Sequence, residues 1–142
     1  MAENKFDFSR RFNMKKFYDT YMSKFLDDKE IGVGAIVFVR ALASRNFTSQ
    51  QELSEYVSCN KAHTSRILSK MQEKGLIRMV NTKSTGTAIN LTEKGKNLAK
   101  QAESLNKKYE QMLIENISAK DLEVFIKVLN QIYLNAETLT SK

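Results

Sequence analysis

Thr48 to Thr92 reads TSQQELSEYVSCNKAHTSRILSKMQEKGLIRMVNTKSTGTAINLT. Thr48-Ser-Gln-Gln51 has the form of a capping box, with Thr48 as N-cap and Gln51 three residues on, so a short helix should run to about Val57. Ser58-Cys59-Asn60 makes a three-residue turn, and Asn60 is a good N-cap for a second helix over 61–74. Thr64, Ile67, Leu68 and Met71 share one face of that helix and would seat it on Leu53 and Val57. Gly75 stands where a helix ends on a left-handed glycine. Ile77-Arg-Met-Val-Asn81 and Thr87-Ala-Ile-Asn-Leu91 then alternate around the polar stretch Thr82-Lys-Ser-Thr-Gly86, the pattern of a hairpin. Helix, three-residue turn, helix and hairpin is the order of a winged helix-turn-helix over residues 48–92.

The flanks read as helices. Residues 6–28 carry Met14, Phe17, Tyr18, Tyr21 and Phe25 three and four apart, a single apolar stripe. Residues 32–44 are apolar nearly all round and predict a buried central helix, although β-branched residues at 36, 37 and 39 leave a strand open. Thr92 should cap a long helix whose seam is Leu98, Ala102, Leu105, Tyr109 and Met112, in steps of four and three. Ser118 should open a last helix with Leu122, Phe125, Ile126, Leu129, Ile132 and Tyr133 on one face. The fold class is therefore all-α with a small β-wing. We expect one domain over 1–142, in which 31–92 is the winged helix-turn-helix region and 1–30 with 93–142 are dimerisation helices.

Charge is unevenly placed. The chain of 142 residues carries a formal net charge of +7. Residues 60–83 hold Lys61, Arg66, Lys70, Lys74, Arg78 and Lys83 against Glu73 alone, six minus one or +5. The segments before and after hold nine basic against eight acidic and eight against seven residues, so each adds only +1. A merely solvated surface would spread the excess; this concentration points to a bound polyanion. The outward face of the second helix carries Ala62, Ser65, Arg66, Ser69 and Lys70. Small residues permit close approach to a groove floor, and Ser and Arg donate to base edges or phosphates. The first turn of such a helix enters the groove first, so Lys61, Ala62, His63, Ser65 and Arg66 are expected contacts with double-stranded DNA. Ser69, Lys70, Lys74, Arg78 and, on the wing, Lys83 complete the candidate DNA-binding set.

Gln50-Gln-Glu-Leu-Ser-Glu-Tyr-Val57, Thr64-Ser-Arg-Ile-Leu-Ser-Lys-Met-Gln-Glu-Lys-Gly-Leu-Ile77 and Ile89-Asn-Leu-Thr-Glu-Lys-Gly95 together resemble the MarR family of bacterial transcriptional regulators. The resemblance takes in almost the whole chain. It implies a cytoplasmic homodimer that binds pseudo-palindromic DNA, most often as a repressor, with a crevice for a small-molecule effector beside the winged region. It implies that the first helix and the last two form the dimer interface, here Phe12, Phe17, Tyr21, Leu105, Tyr109, Met112, Phe125, Leu129 and Ile132. It places Ser65 and Arg66 where the family's recognition helix touches DNA. At the wing tip the chain departs from the family: Lys83-Ser84-Thr85 replaces the usual Asp-and-Arg pair, leaving Lys83 as the cation there.

Other chemistries find little footing. A single cysteine, Cys59, rules out an intrachain disulfide and suits a reducing compartment; it reads as a small buried hydrophobe rather than a redox switch. One histidine and one cysteine are too few soft ligands for a transition-metal site, so no metal or cofactor is expected, and His63 should face DNA or solvent. Phe12, Phe17, Tyr18, Tyr21 and Phe25 read as core and dimer packing before they read as an effector pocket. No nucleophile, base and acid come together and no phosphate loop is present, so an enzyme is not expected. No uncharged stretch exceeds the nine residues of Ile31 to Val39, too few to cross a bilayer, so no membrane partner is expected. The alternative of another class is a winged-helix module that docks an acidic protein on the same basic face.

Overall fold

The computed structural model describes residues 14–26, 31–82 and 86–141. Phe12, Lys83 and the wing-tip residues beside it, and the beginning and end of the helix expected over 6–28, lie outside them. The chain divides into two compact units, Met1–Lys107 and Lys108–Lys142.

In the first unit α1 runs Lys15–Phe25 and α2 Val33–Ser44. The strand left open for residues 36–39 is therefore a helix; its inner face buries Ala35, Ile36, Phe38, Val39 and Ala41, while Val37 stays exposed. Helices α3 (Gln50–Tyr56) and α4 (Lys61–Glu73) follow, then strands β1 (Ile77–Thr82) and β2 (Gly86–Leu91). The strands pair antiparallel, from Ile77 opposite Leu91 to Thr82 opposite Gly86. Helix α5 spans Glu93–Leu113. One core joins these elements. Met22 of α1, Ile36 and Val39 of α2, Leu53 of α3, Leu68 and Met71 of α4, Leu76, Ile77 and Ala102 are all at most 2% exposed. Cys59 is half-buried against this core as a free thiol.

The second unit holds the end of α5, a turn through Asn116 in the left-handed region (φ 64°), and α6 (Ala119–Thr140). Ser118 caps α6, its hydroxyl accepting from the Asp121 N–H at 3.0 Å. Helix α6 is amphipathic, yet none of its residues is buried. Phe125, Ile126, Tyr133 and Leu134 are about half exposed or more. Among the described residues no helix is long and apolar enough to cross a membrane.

Candidate nucleic-acid interface

The placement of α4 begins one helix earlier. The N-cap of α3 is Ser49, not Thr48: the Ser49 hydroxyl accepts from the Glu52 N–H at 3.1 Å. The box partner is accordingly Glu52 rather than Gln51. A carboxylate is the stronger acceptor and its charge suits a helix N-terminus. Glu52 reaches back to accept from both the Thr48 N–H and the Thr48 hydroxyl, each at 2.8 Å, and pairs with Arg45. The Thr48 N–H, then its hydroxyl, and the Arg45 cation hold the Glu52 carboxyl below its ordinary pKa. Arg45 also lies over the rings of Phe47 and Tyr56, 4.7 and 5.3 Å from their centroids. The entry to the helix-turn-helix is thus pinned by polar and cation–π contacts at once.

Helix α3 ends in a Schellman turn: the Cys59 N–H donates to Ser54 O at 2.9 Å and the Ser58 N–H to Glu55 O at 3.2 Å. Ser58 takes the left-handed residue, φ 54°. Asn60 then caps α4 as expected, accepting from the His63 N–H at 2.8 Å. Helix α4 ends in the same motif, with Leu76 N–H donating to Met71 O and Gly75 at φ 71°. Here glycine is the residue the conformation asks for.

Between these ends the two faces of α4 part cleanly. Thr64, Leu68 and Met71 are buried and Ile67 is half-buried on the inner side. Lys61, Ala62, His63, Ser65, Arg66, Ser69 and Lys70 are all exposed. They line roughly 14 Å of helix at 1.5 Å per residue. A shallow depression of about 400 Å³ lies along Ser65, Arg66, Ser69, Lys70 and Glu73. Arg78, on β1, is exposed and Lys74 half-buried. Among the described residues, Lys61, Arg66, Lys70 and Arg78 make no ion pair, so their charges are directed to solvent. The sequence-derived DNA set therefore lies on the exposed face of α4, its C-cap Lys74 and the strand that follows, apart from Lys83, which lies outside the described residues.

Residues expected at a dimer interface are more varied. Phe17, Met112 and Phe125 are exposed. Tyr21, Leu105, Tyr109, Leu129 and Ile132 are half-buried, and the Tyr21 ring meets that of Phe25 at a tilt, centroids 4.9 Å apart.

One polar group escaped the sequence reading. Arg40, the single charge in the apolar run of α2, brings Nη1 to 3.4 Å from Tyr18 Oη and from Asn106 Oδ1, and Nη2 to 3.4 Å from Glu103 Oε2. Burial pushes the Tyr18 phenol above its ordinary pKa, against the pull of Arg40. Arg40 and Glu103 line a cavity of about 820 Å³ with Asn46, Ile89, Asn90, Leu91, Lys96 and Lys100. The aromatics of α1 do not line it. An isolated arginine in an apolar run is the signal that could have marked it, since a buried cation must be paired.

No protein-family model and no curated protein matches the chain. Solved structures do. A MarR transcriptional regulator from Methanosarcina mazei Go1 superposes with a TM-score of 0.76 at 20% identity, over 89% of this chain and 86% of that one. The chain has the MarR-type fold. The transcriptional regulator SlyA gives a TM-score of 0.75 at 19% identity over 88% and 89% of the two chains. The reduced form of MarR from E. coli gives 0.74 at 18% identity over 89% and 96%. A MarR-type fold is what winged pattern, flanking helices and Thr92-Glu-Lys-Gly95 implied, and in it α4 occupies the place of the second helix of the helix-turn-helix.

Proposed function

We propose that the chain is a transcriptional regulator, acting as a repressor, that binds pseudo-palindromic duplex DNA as a homodimer. The observation that carries this reading is the outer face of α4: seven exposed residues, small, hydroxylic or basic, at the centre of the segment that holds +5 of the +7 net charge. A helix of that kind fits the major groove, where Ser65, Arg66 and His63 meet base edges and Lys70, Lys74 and Arg78 meet phosphates. The structural neighbours named as transcriptional regulators support the same reading.

The homodimer rests on α6. An amphipathic helix with no buried residue leaves its apolar face in water unless a second chain covers it. Two α4 helices about 34 Å apart would then match half-sites one turn apart. The cavity beside Arg40 supports a ligand-responsive regulator, which the proposal places in the cytoplasm. An organic effector there shifts DNA affinity only as far as its affinities for the two helix spacings differ.

Selection of sites from random-sequence duplex DNA with the purified protein tests the proposal. Enrichment of a pseudo-palindrome is the expected result. Recovery of no preferred sequence would overturn it and favour the docking module for an acidic protein.

A further inference from the structure

Three consecutive carbonyls leave the end of α4, and the N-cap and first turn of α5 take all three. Lys74 O accepts from Lys94 Nζ at 2.9 Å, Gly75 O from the Thr92 hydroxyl at 2.5 Å, and Leu76 O from the Thr92 N–H at 3.0 Å. The Thr92 hydroxyl works in both directions, since its oxygen also accepts from the Gly95 N–H at 3.1 Å. Gly95 is buried against the same place: a β-carbon there would run into the Leu76 carbonyl oxygen and stand 3.0 Å from Leu91 Cδ2.

Helix capping alone does not call for this. The Schellman turn already closes α4 by satisfying the Met71 and Gln72 carbonyls. The acceptor side of the Thr92 hydroxyl already caps α5. Its donor side and the Lys94 ammonium go instead to the exit of α4. The inner face of α4 is held by Leu68 and Met71 in an apolar core, and apolar burial is non-directional. Hydrogen bonds at the exit are directional. They fix tilt and rotation where packing alone is softer.

We propose that Thr92, with Lys94 and Gly95, is a clamp that sets the angle of α4, and that Thr92 is a positioning residue for sequence discrimination rather than for general DNA affinity. The inference rests on the DNA-reading role proposed above. Paired hydrogen bonds to base edges need the helix in register, whereas phosphate attraction tolerates a small tilt.

The test compares the full-length protein with Thr92→Ser and Thr92→Asp, on the selected site and on random-sequence duplex of equal length at one salt concentration. Serine keeps both functions of the hydroxyl. Aspartate still caps α5 by accepting from the Gly95 N–H, but it has no proton for the Gly75 carbonyl. Thr92→Ser should keep the wild-type ratio of the two affinities, and Thr92→Asp should lower it about tenfold, the discrimination carried by one base pair. A Thr92→Asp ratio within about twofold of wild type, judged against that tenfold step, or an equal loss in Thr92→Ser, overturns the clamp. Should circular dichroism show Thr92→Asp unfolded, Lys94→Met takes its place, as it leaves the cap untouched; a several-fold lower ratio is expected and an unchanged one overturns the inference. A wild-type protein that does not distinguish the two DNAs defeats the DNA reading itself, an outcome separate from failure of the clamp.

Discussion

Gly95 and Leu76 meet backbone to backbone: the α-carbon of Gly95, at the start of α5, lies against the carbonyl that ends the exit from α4, and no side chain fits between them. Both residues are buried, so the neighbours have little room to yield. Gly95→Ala should therefore destabilise the protein by about 3 kcal/mol, the upper range for overpacking a close-packed site. That corresponds to a melting midpoint roughly 10 °C lower. Thermal unfolding followed by circular dichroism checks this; an unchanged midpoint would mean that the contact relaxes freely.

Glu52 links stability to acid. Its carboxyl is held below the ordinary value by the Thr48 N–H first, then the Thr48 hydroxyl and Arg45. A depressed folded-state pKa adds stability that is fully present above the unfolded-state value and is lost as pH falls through the folded one. Glu52→Gln should thus lower stability at neutral pH and flatten its decline below the ordinary carboxylate range. Urea unfolding midpoints measured from pH 7 into that range read the effect. Parallel curves for the two proteins would remove Glu52 from the account.

Helix α6 predicts the oligomeric state. The chain has a mass of 16.3 kDa, and light scattering at micromolar concentration should give twice that. Phe125→Glu, on the exposed apolar face, should shift the protein to monomer without loss of helix. A wild-type monomer would leave Phe125, Ile126 and Tyr133 without a covering partner.

Salt reports on the basic face. With Lys70, Lys74 and Arg78 on phosphates in each of two protomers, log affinity against log salt should fall with a slope of about −5. Lys70→Met removes one contact from each protomer and should lessen the slope by about 2. A flat response would contradict the assignment of these cations.

Much of this was legible in the sequence because it is local. Asn60, Thr92 and Ser118 each announce a helix as a short polar side chain before a periodic run, and each does cap one. Gly75 announces an end for the same kind of reason. The cap of α3 falls on Ser49 rather than Thr48 because both head a capping box in the sequence, and Glu52, a stronger acceptor than Gln51, closes its box by accepting from the Thr48 N–H. For Arg40 only the lone charge in an apolar run was legible, not its partners, and the Thr92 clamp left no sequence signal. The partners of Arg40 lie 22 to 66 residues away, and those of Thr92 and Lys94 are backbone carbonyls, which every residue has and which leave no mark on composition.

Arg66 puts the proposed role of α4 to its most direct trial. It is exposed on the outer face and free of ion pairs among the described residues. Affinities of wild type and Arg66→Ala should be compared on the selected site and on random DNA. A loss of roughly 1 to 3 kcal/mol on the selected site, with little change on random DNA, is the outcome for a helix that reads bases. Undiminished affinity of Arg66→Ala for the selected site would contradict it.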